Sequence, residues 1–80
     1  MEFILKWDRN NRDELGFRHD KDNIVFFIDD ENQDSSLKIG DKIVSIDNKL
    51  MSTAKETHEA LKNSKQNFEM VLKRVPYEKG

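Results

Sequence analysis

Cysteine is absent, so neither a disulfide framework nor a thiolate metal site can hold this chain together, and a reducing compartment is compatible with it. Long apolar runs are absent too. The longest, Ile24 to Ile28, falls far short of the roughly 20 residues a membrane helix needs, and the first residues lack the basic-then-apolar pattern of a leader. These absences predict a soluble, cytoplasmic protein or fragment, which a partner's tail can still bring to a membrane. A surplus of positive charge is also missing. With 14 basic and 16 acidic residues interspersed and a net charge of −2, no strong field is available to neutralise a phosphate backbone, which argues against nucleic acid as a partner. Arg9, Arg12 and Arg18 can still converge in space while the totals cancel.

Catalytic and metal chemistry find little support. Two histidines far apart, His19 and His58, make a poor ligand set without cysteine, so no metal or cofactor is expected. Carboxylates are plentiful, but acid–base work needs them desolvated or paired in a cleft, which their spacing does not require. Thr57 beside His58 on one helix is not an activated nucleophile. The chain reads as a non-enzyme.

What remains is 80 residues, 35% hydrophobic and 38% charged. That is room for one domain, which buries only about 60% of its unfolded-state surface on folding. The apolar stretches Phe3 to Trp7, Ile24 to Ile28 and Phe68 to Leu72 favour a folded chain over a disordered one. Phe3, Leu5 and Trp7 share one face by the two-residue period of a strand, with Trp7 sealing the edge of the core. Asp8 to Asp13 is a polar loop. A second strand is predicted over Leu15 to His19, a turn over Asp20 to Asn23, and a third strand over Ile24 to Ile28, whose β-branched and aromatic residues favour strand over helix.

Asp29 to Ser36 is rich in cap-forming residues and reads as one helical turn at most, around Asn32 to Ser36. A turn at Gly40-Asp41 feeds a strand holding Ile43 and Ile46, and Asp47-Asn48-Lys49 turns the chain into a short strand at Leu50-Met51. Thr53 and Glu56 fit a capping box, which predicts a helix from Ala54 to about Asn63 with Ala54, Thr57, His58 and Leu61 on one face and Ala60 beside it. The last strand runs from Asn67 to Val75, with Phe68, Met70 and Leu72 facing the core, and Pro76 ends it.

This order of elements, with Glu14-Leu15-Gly16-Phe17 ahead of the second strand, Leu37 to Asn48 with its Gly40-Asp41 and Ile43, and a helix ending Ala60-Leu61-Lys62-Asn63, resembles the PDZ family in its metazoan arrangement. Glu14 to Phe17 looks like the family's carboxylate-binding loop, commonly Gly-Leu-Gly-Phe. The resemblance spans nearly the whole chain. It implies an α+β fold, a five- to six-stranded antiparallel β-sandwich or partly open barrel capped by one short and one longer helix over residues 1–76, with 77–80 a flexible tail. It also implies an interaction module that binds the free C-terminal tails of other proteins as an added strand between the second strand and the long helix.

The loop has a physical rationale of its own. A carboxylate needs several N–H donors converging on it, and glycine lets the backbone turn its amides outward. Leu15, Gly16 and Phe17 would supply them, with Arg9 or Arg12 as an assisting cation. Leu15, Phe17 and Leu61 would enclose the ligand's last side chain, expected to be hydrophobic. Arg18 and His19 would pair with the ligand backbone, while Ala54, Thr57 and His58 would line the groove.

Two positions depart from the family pattern. Ala54 stands where many members carry a histidine, and His19 where an aliphatic residue is usual. His19 and His58 are therefore expected to form a polar subsite near the ligand's third-from-last residue, with binding varying around pH 6.5, where a histidine ordinarily changes charge. A monomer is expected. The alternatives are a self-associating structural module using the open strand edge, a regulatory domain of a larger enzyme, and, more weakly, binding to membrane lipid through basic residues.

Overall fold

A computed structural model describes residues 1–9, 15–29 and 36–74. The main sheet is built by apolar alternation. Strand β1 (Glu2–Asp8) pairs antiparallel with β6 (Asn67–Lys73) from Glu2↔Lys73 to Asp8↔Asn67. Alternate residues Leu5 and Trp7 of one strand and Phe68, Met70 and Leu72 of the other are buried, each contributing about 1.5–3 kcal/mol of transfer free energy. β6 pairs in turn with β4 (Lys42–Ile46), and β4 with β5 (Lys49–Leu50), giving a four-stranded sheet of order β1-β6-β4-β5.

The β4–β5 connection is the two-residue turn Asp47-Asn48, with φ of 49° and 69°. Positive φ at both positions matches the right-handed twist of a hairpin, and Asp and Asn tolerate it better than most residues.

β2 (Phe17–His19) and β3 (Val25–Ile28) form a second, two-stranded sheet. Its turn is organised by the Asp20 carboxylate, which accepts the Asp22 N–H at 2.8 Å and the Ile24 N–H at 3.0 Å. The Ile24 hydrogen bond is the main reason the Asp20 carboxyl is held below its ordinary range. The two sheets are joined where β3 begins. There the Val25 N–H donates to the Asp41 carbonyl at 2.8 Å, the Gly40 N–H to the Val25 carbonyl at 2.8 Å, and the Ile43 N–H to the Asn23 carbonyl at 2.9 Å.

Helix α1 (Ala54–Lys62) starts at the residue its capping box dictates. The Thr53 hydroxyl accepts the Glu56 N–H at 3.1 Å, and the Glu56 carboxylate accepts the N–H groups of Thr53 and Ser52. Thr57 and Leu61 are its buried residues. One core draws together Leu5, Trp7, Phe17, Val25, Ile43, Leu61 and Met70 from both sheets and the helix, with Leu37 from the loop before β4. At its margin the buried Asp41 carboxylate receives two Arg74 guanidinium hydrogen bonds of 2.7 Å and the Lys38 N–H at 2.9 Å. The same guanidinium lies 4.6 Å over the Phe3 ring and donates to the Ser36 carbonyl.

The chain is thus α+β, with antiparallel sheets of four and two strands and one helix among the described residues. Several boundaries differ from the sequence expectation. β2 begins at Phe17 and not Leu15, because Gly16 has φ of 100°, outside the strand region. β3 begins at Val25, since Asn23 has φ of 64° and Ile24 makes only an isolated bridge to Lys42. β5 falls on Lys49 and Leu50 because the tight turn lets Lys49 pair with Ile46 at once. The helical turn expected at Asn32 to Ser36 lies outside the described residues except for Ser36, which sits in a turn; Val75, Pro76 and the tail from Tyr77 to Gly80 also lie outside them. No helix among the described residues is long and apolar enough to cross a membrane.

Candidate functional site

Between β2 and α1 lies an open groove of about 640 Å³. Leu15, Phe17, Arg18 and His19 form one wall, His58, Leu61 and Lys62 the other, with Arg9 and Phe26 completing the lining. β2 pairs with β3 alone among the described residues, so its second edge carries no strand.

The head of β2 is shaped by two hydrogen bonds to consecutive carbonyls. The Leu15 carbonyl accepts the indole N–H of Trp7 at 2.9 Å, and the Gly16 carbonyl accepts the Asp29 N–H at 2.8 Å. In a planar trans peptide the C=O and the following N–H point in opposite directions, and the described chain has no cis bond. The Gly16 N–H therefore points away from the buried indole, and the Phe17 N–H away from β3. For Phe17 the ladder agrees, since the Gly16 carbonyl takes the Asp29 N–H and the next pair, Phe17↔Ile28, is then the kind whose backbone groups turn away from the partner strand. Gly16 makes the bend feasible, because its φ of 100° would strain any residue with a Cβ. Trp7 itself is only 1% exposed and meets Phe17 edge-to-face at 4.8 Å, so the donor that fixes the Leu15 carbonyl is locked by packing.

Arg9 sits at the far end of α1. Its Nη2 donates to the Leu61 carbonyl and, at 2.7 Å, to the Ser64 hydroxyl, which also donates to Leu61. A cation on the last carbonyls of a helix complements its dipole, and here it places a fixed positive charge on the groove lining. Arg18 stacks its guanidinium 5.8 Å from the centre of the Phe27 ring. The Nδ1 of His19 lies 3.0 Å from the Asp20 carbonyl, and His58 is exposed on the opposite wall.

Of the residues singled out in the sequence, Arg9, Leu15, Phe17, Arg18, His19, His58 and Leu61 line this groove together. Gly16 lines a smaller hollow of about 300 Å³ together with Leu15, Phe17, Arg18, Phe27 and Asp29. Ala54 and Thr57 are not on the groove lining. Thr57 is fully buried, and its hydroxyl donates to the Thr53 carbonyl at 3.1 Å. Arg12 lies outside the described residues.

Three contributors escaped the sequence reading. Lys62 was within reach of it, because it lies one turn beyond His58 on the same helix face. Phe26 was not, because its placement depends on the bulge between Arg18 and His19. The Trp7 indole bond has no local signature either. No group of three or more metal-ligating side chains occurs among the described residues.

No protein-family model matches the chain, and no curated protein matches it.

Proposed function

We propose that the chain is a PDZ-like module that captures the free C-terminal tail of a partner protein, adding it as a strand to the open edge of β2. The observation that carries this reading is the orientation of the Leu15–Gly16–Phe17 peptide groups beside an open groove of about 640 Å³ between β2 and α1. In it, the Leu15, Gly16 and Phe17 amides receive the terminal carboxylate, and the pairing continues through Phe17 and His19. It does not continue, as expected from the sequence, through Arg18, because groups alternate along a strand and those of Arg18 turn to Phe27 of β3 where those of Phe17 turn away. Leu15, Phe17 and Leu61 enclose a hydrophobic last side chain. His19 and His58, on facing walls, form a polar subsite for the third-from-last residue. Arg9 adds positive charge on the helix side of the terminal carboxylate, where it also anchors the helix end. The four-strand and two-strand sheets and the helix packed against them are compatible with this family's α+β architecture.

Charge-assisted hydrogen bonds to the carboxylate are worth about 1.5–3 kcal/mol each. Calorimetric titration with a free C-terminal peptide and its amidated twin therefore tests the reading: amidation should weaken binding about ten-fold or more, and equal affinities would contradict it. A second reading, self-association through the β2 edge, draws on the exposure of Phe26 and Phe27 on β3 of the same two-stranded sheet, at 51% and 48%. Sedimentation showing a dimer that excludes free tails would favour it instead.

A further inference from the structure

The four-stranded sheet gives only one of its faces to the core. Leu5, Trp7, Ile43, Met70 and Leu72 point inward, so the alternate residues Glu2, Ile4 and Lys6 of β1 and Glu69, Val71 and Lys73 of β6 stand on the outer face. Strand pairing sets them in rows, with Glu2 opposite Lys73, Ile4 opposite Val71, and Lys6 opposite Glu69. The middle row continues across the sheet, since Val71 pairs with Ser45 and Ser45 with Leu50. It is apolar at both ends, and both are open: Ile4 is 64% and Leu50 71% exposed. On β4, Lys42 pairs with Lys73, and the Asp47 carboxylate accepts the Glu69 N–H at 2.9 Å. From β1 to β4 one flanking row thus reads acid, base, base, and the other base, acid, acid.

We propose that this outer face binds a second copy of the chain, about a two-fold axis lying along the row from Ile4 to Leu50. A half-turn about that line reverses the strand direction and leaves each strand over its own copy, so Ile4, Val71 and Leu50 meet their counterparts. The same half-turn exchanges the charged rows. Glu2 falls over the partner's Lys6, Lys73 over the partner's Glu69, and Lys42 over the partner's Asp47, a self-complementary patch of the kind a symmetric dimer requires. An axis along β6 would instead set Lys73 on Lys73 and Glu69 on Glu69, so the charges select between the two face-to-face arrangements. Facing sheets lie about 10 Å apart, a gap that lysine and glutamate side chains span. The four strands cover about 14 Å across the sheet and residues 2 to 6 about 13 Å along it. That footprint is short of the ~800 Å² a standard interface buries on each partner, so the dimer is weak and depends on concentration. Phe17 and Leu61, which line the groove, pack on the sheet's other face; the dimer is therefore independent of tail capture and leaves both grooves open.

Sedimentation velocity of the 80-residue chain from about 10 µM to about 1 mM, the range of weak affinities, should show a monomer passing into a dimer toward the upper end. Ile4→Lys and Leu50→Lys each put a charge at an exposed point of the apolar row, so their circular dichroism should match the parent while the dimer is lost. Two double variants address the charges. Lys6→Glu with Lys73→Glu leaves the flanking rows mainly acidic, and Glu2→Lys with Glu69→Lys leaves them mainly basic. Each alone should stay monomeric, and an equimolar mixture of the two should dimerise. A parent chain that remains monomeric throughout the range overturns the proposal, as does a dimer that survives both Ile4→Lys and Leu50→Lys. A mixture of the acidic and basic variants that stays monomeric contradicts the axis along the apolar row. A free tail should bind without dispersing the dimer; a dimer that excludes free tails is one made through the β2 edge, and overturns the proposal in favour of that contact.

Discussion

Trp7 is the residue through which the core reaches the candidate site. Its ring fills the interior against Phe17, and its one polar atom is spent on the Leu15 carbonyl. Trp7→Phe keeps most of the apolar body and removes the donor, leaving that carbonyl without its partner. Loss of a buried hydrogen bond of this kind costs about 1–3 kcal/mol. The variant should lose stability in that range in urea denaturation followed by circular dichroism, and the folded protein should bind a free tail several-fold more weakly, since the Leu15–Gly16 peptide is no longer held. Unchanged tail affinity in a folded Trp7→Phe protein would show that the indole only packs. From the sequence, Trp7 is legible as a core-facing strand residue because alternation with Phe3 and Leu5 is a local pattern. Its hydrogen bond is not, because the partner lies across a loop whose path no spacing rule fixes.

Among the elements, the helix is the most legible and β2 the least. Thr53 and Glu56 are three positions apart and satisfy each other's backbone, so the start at Ala54 follows from two residues alone. Thr53→Ala should lower stability by about 1 kcal/mol, measured by urea denaturation. Thr53→Ser, which restores an accepting hydroxyl, should recover most of it. β2 runs only from Phe17 to His19, and its length is set by the Gly16 bend, the indole bond and the bulge beside β3. Those are tertiary facts, and for that reason apolar patterning extended the strand two residues too far toward the N-terminus. The facing walls of the groove divide in the same way. His58, Leu61 and Lys62 follow from helical spacing, whereas Phe26 reaches the groove only because the register slips between Arg18 and His19.

At the scale of the molecule, the two sheets and the chain's distant segments meet around Asp41. Its carbonyl joins β3 to the head of β4, and its carboxylate binds Arg74, whose guanidinium also covers Phe3 and holds the Ser36 carbonyl. The carboxylate side chain is 2% exposed and that of Arg74 30%. The carboxylate is the main reason the Arg74 guanidinium is held protonated even more firmly than usual. Arg74→Ala would leave a buried anion unpaired, at a cost of about 3 kcal/mol, the lower end for such pairs because Arg74 is partly in water. Thermal unfolding of this variant should begin well below that of the parent, and a melting temperature unchanged within error would contradict the role given to the pair. The sequence showed a Gly40-Asp41 turn and nothing of this bridge, because a pairing over 33 positions leaves no periodicity to read.

The outward aim of the Gly16 and Phe17 amides is what the whole functional reading stands on, and backbone resonances observe it directly. In a 15N-labelled sample titrated with a free hydrophobic-ended tail, the Gly16 and Phe17 amide signals should move most and progressively, and the amidated tail at the same concentration should leave them nearly in place. Signals of Gly16 and Phe17 that stay fixed while a free tail saturates the protein elsewhere would contradict it.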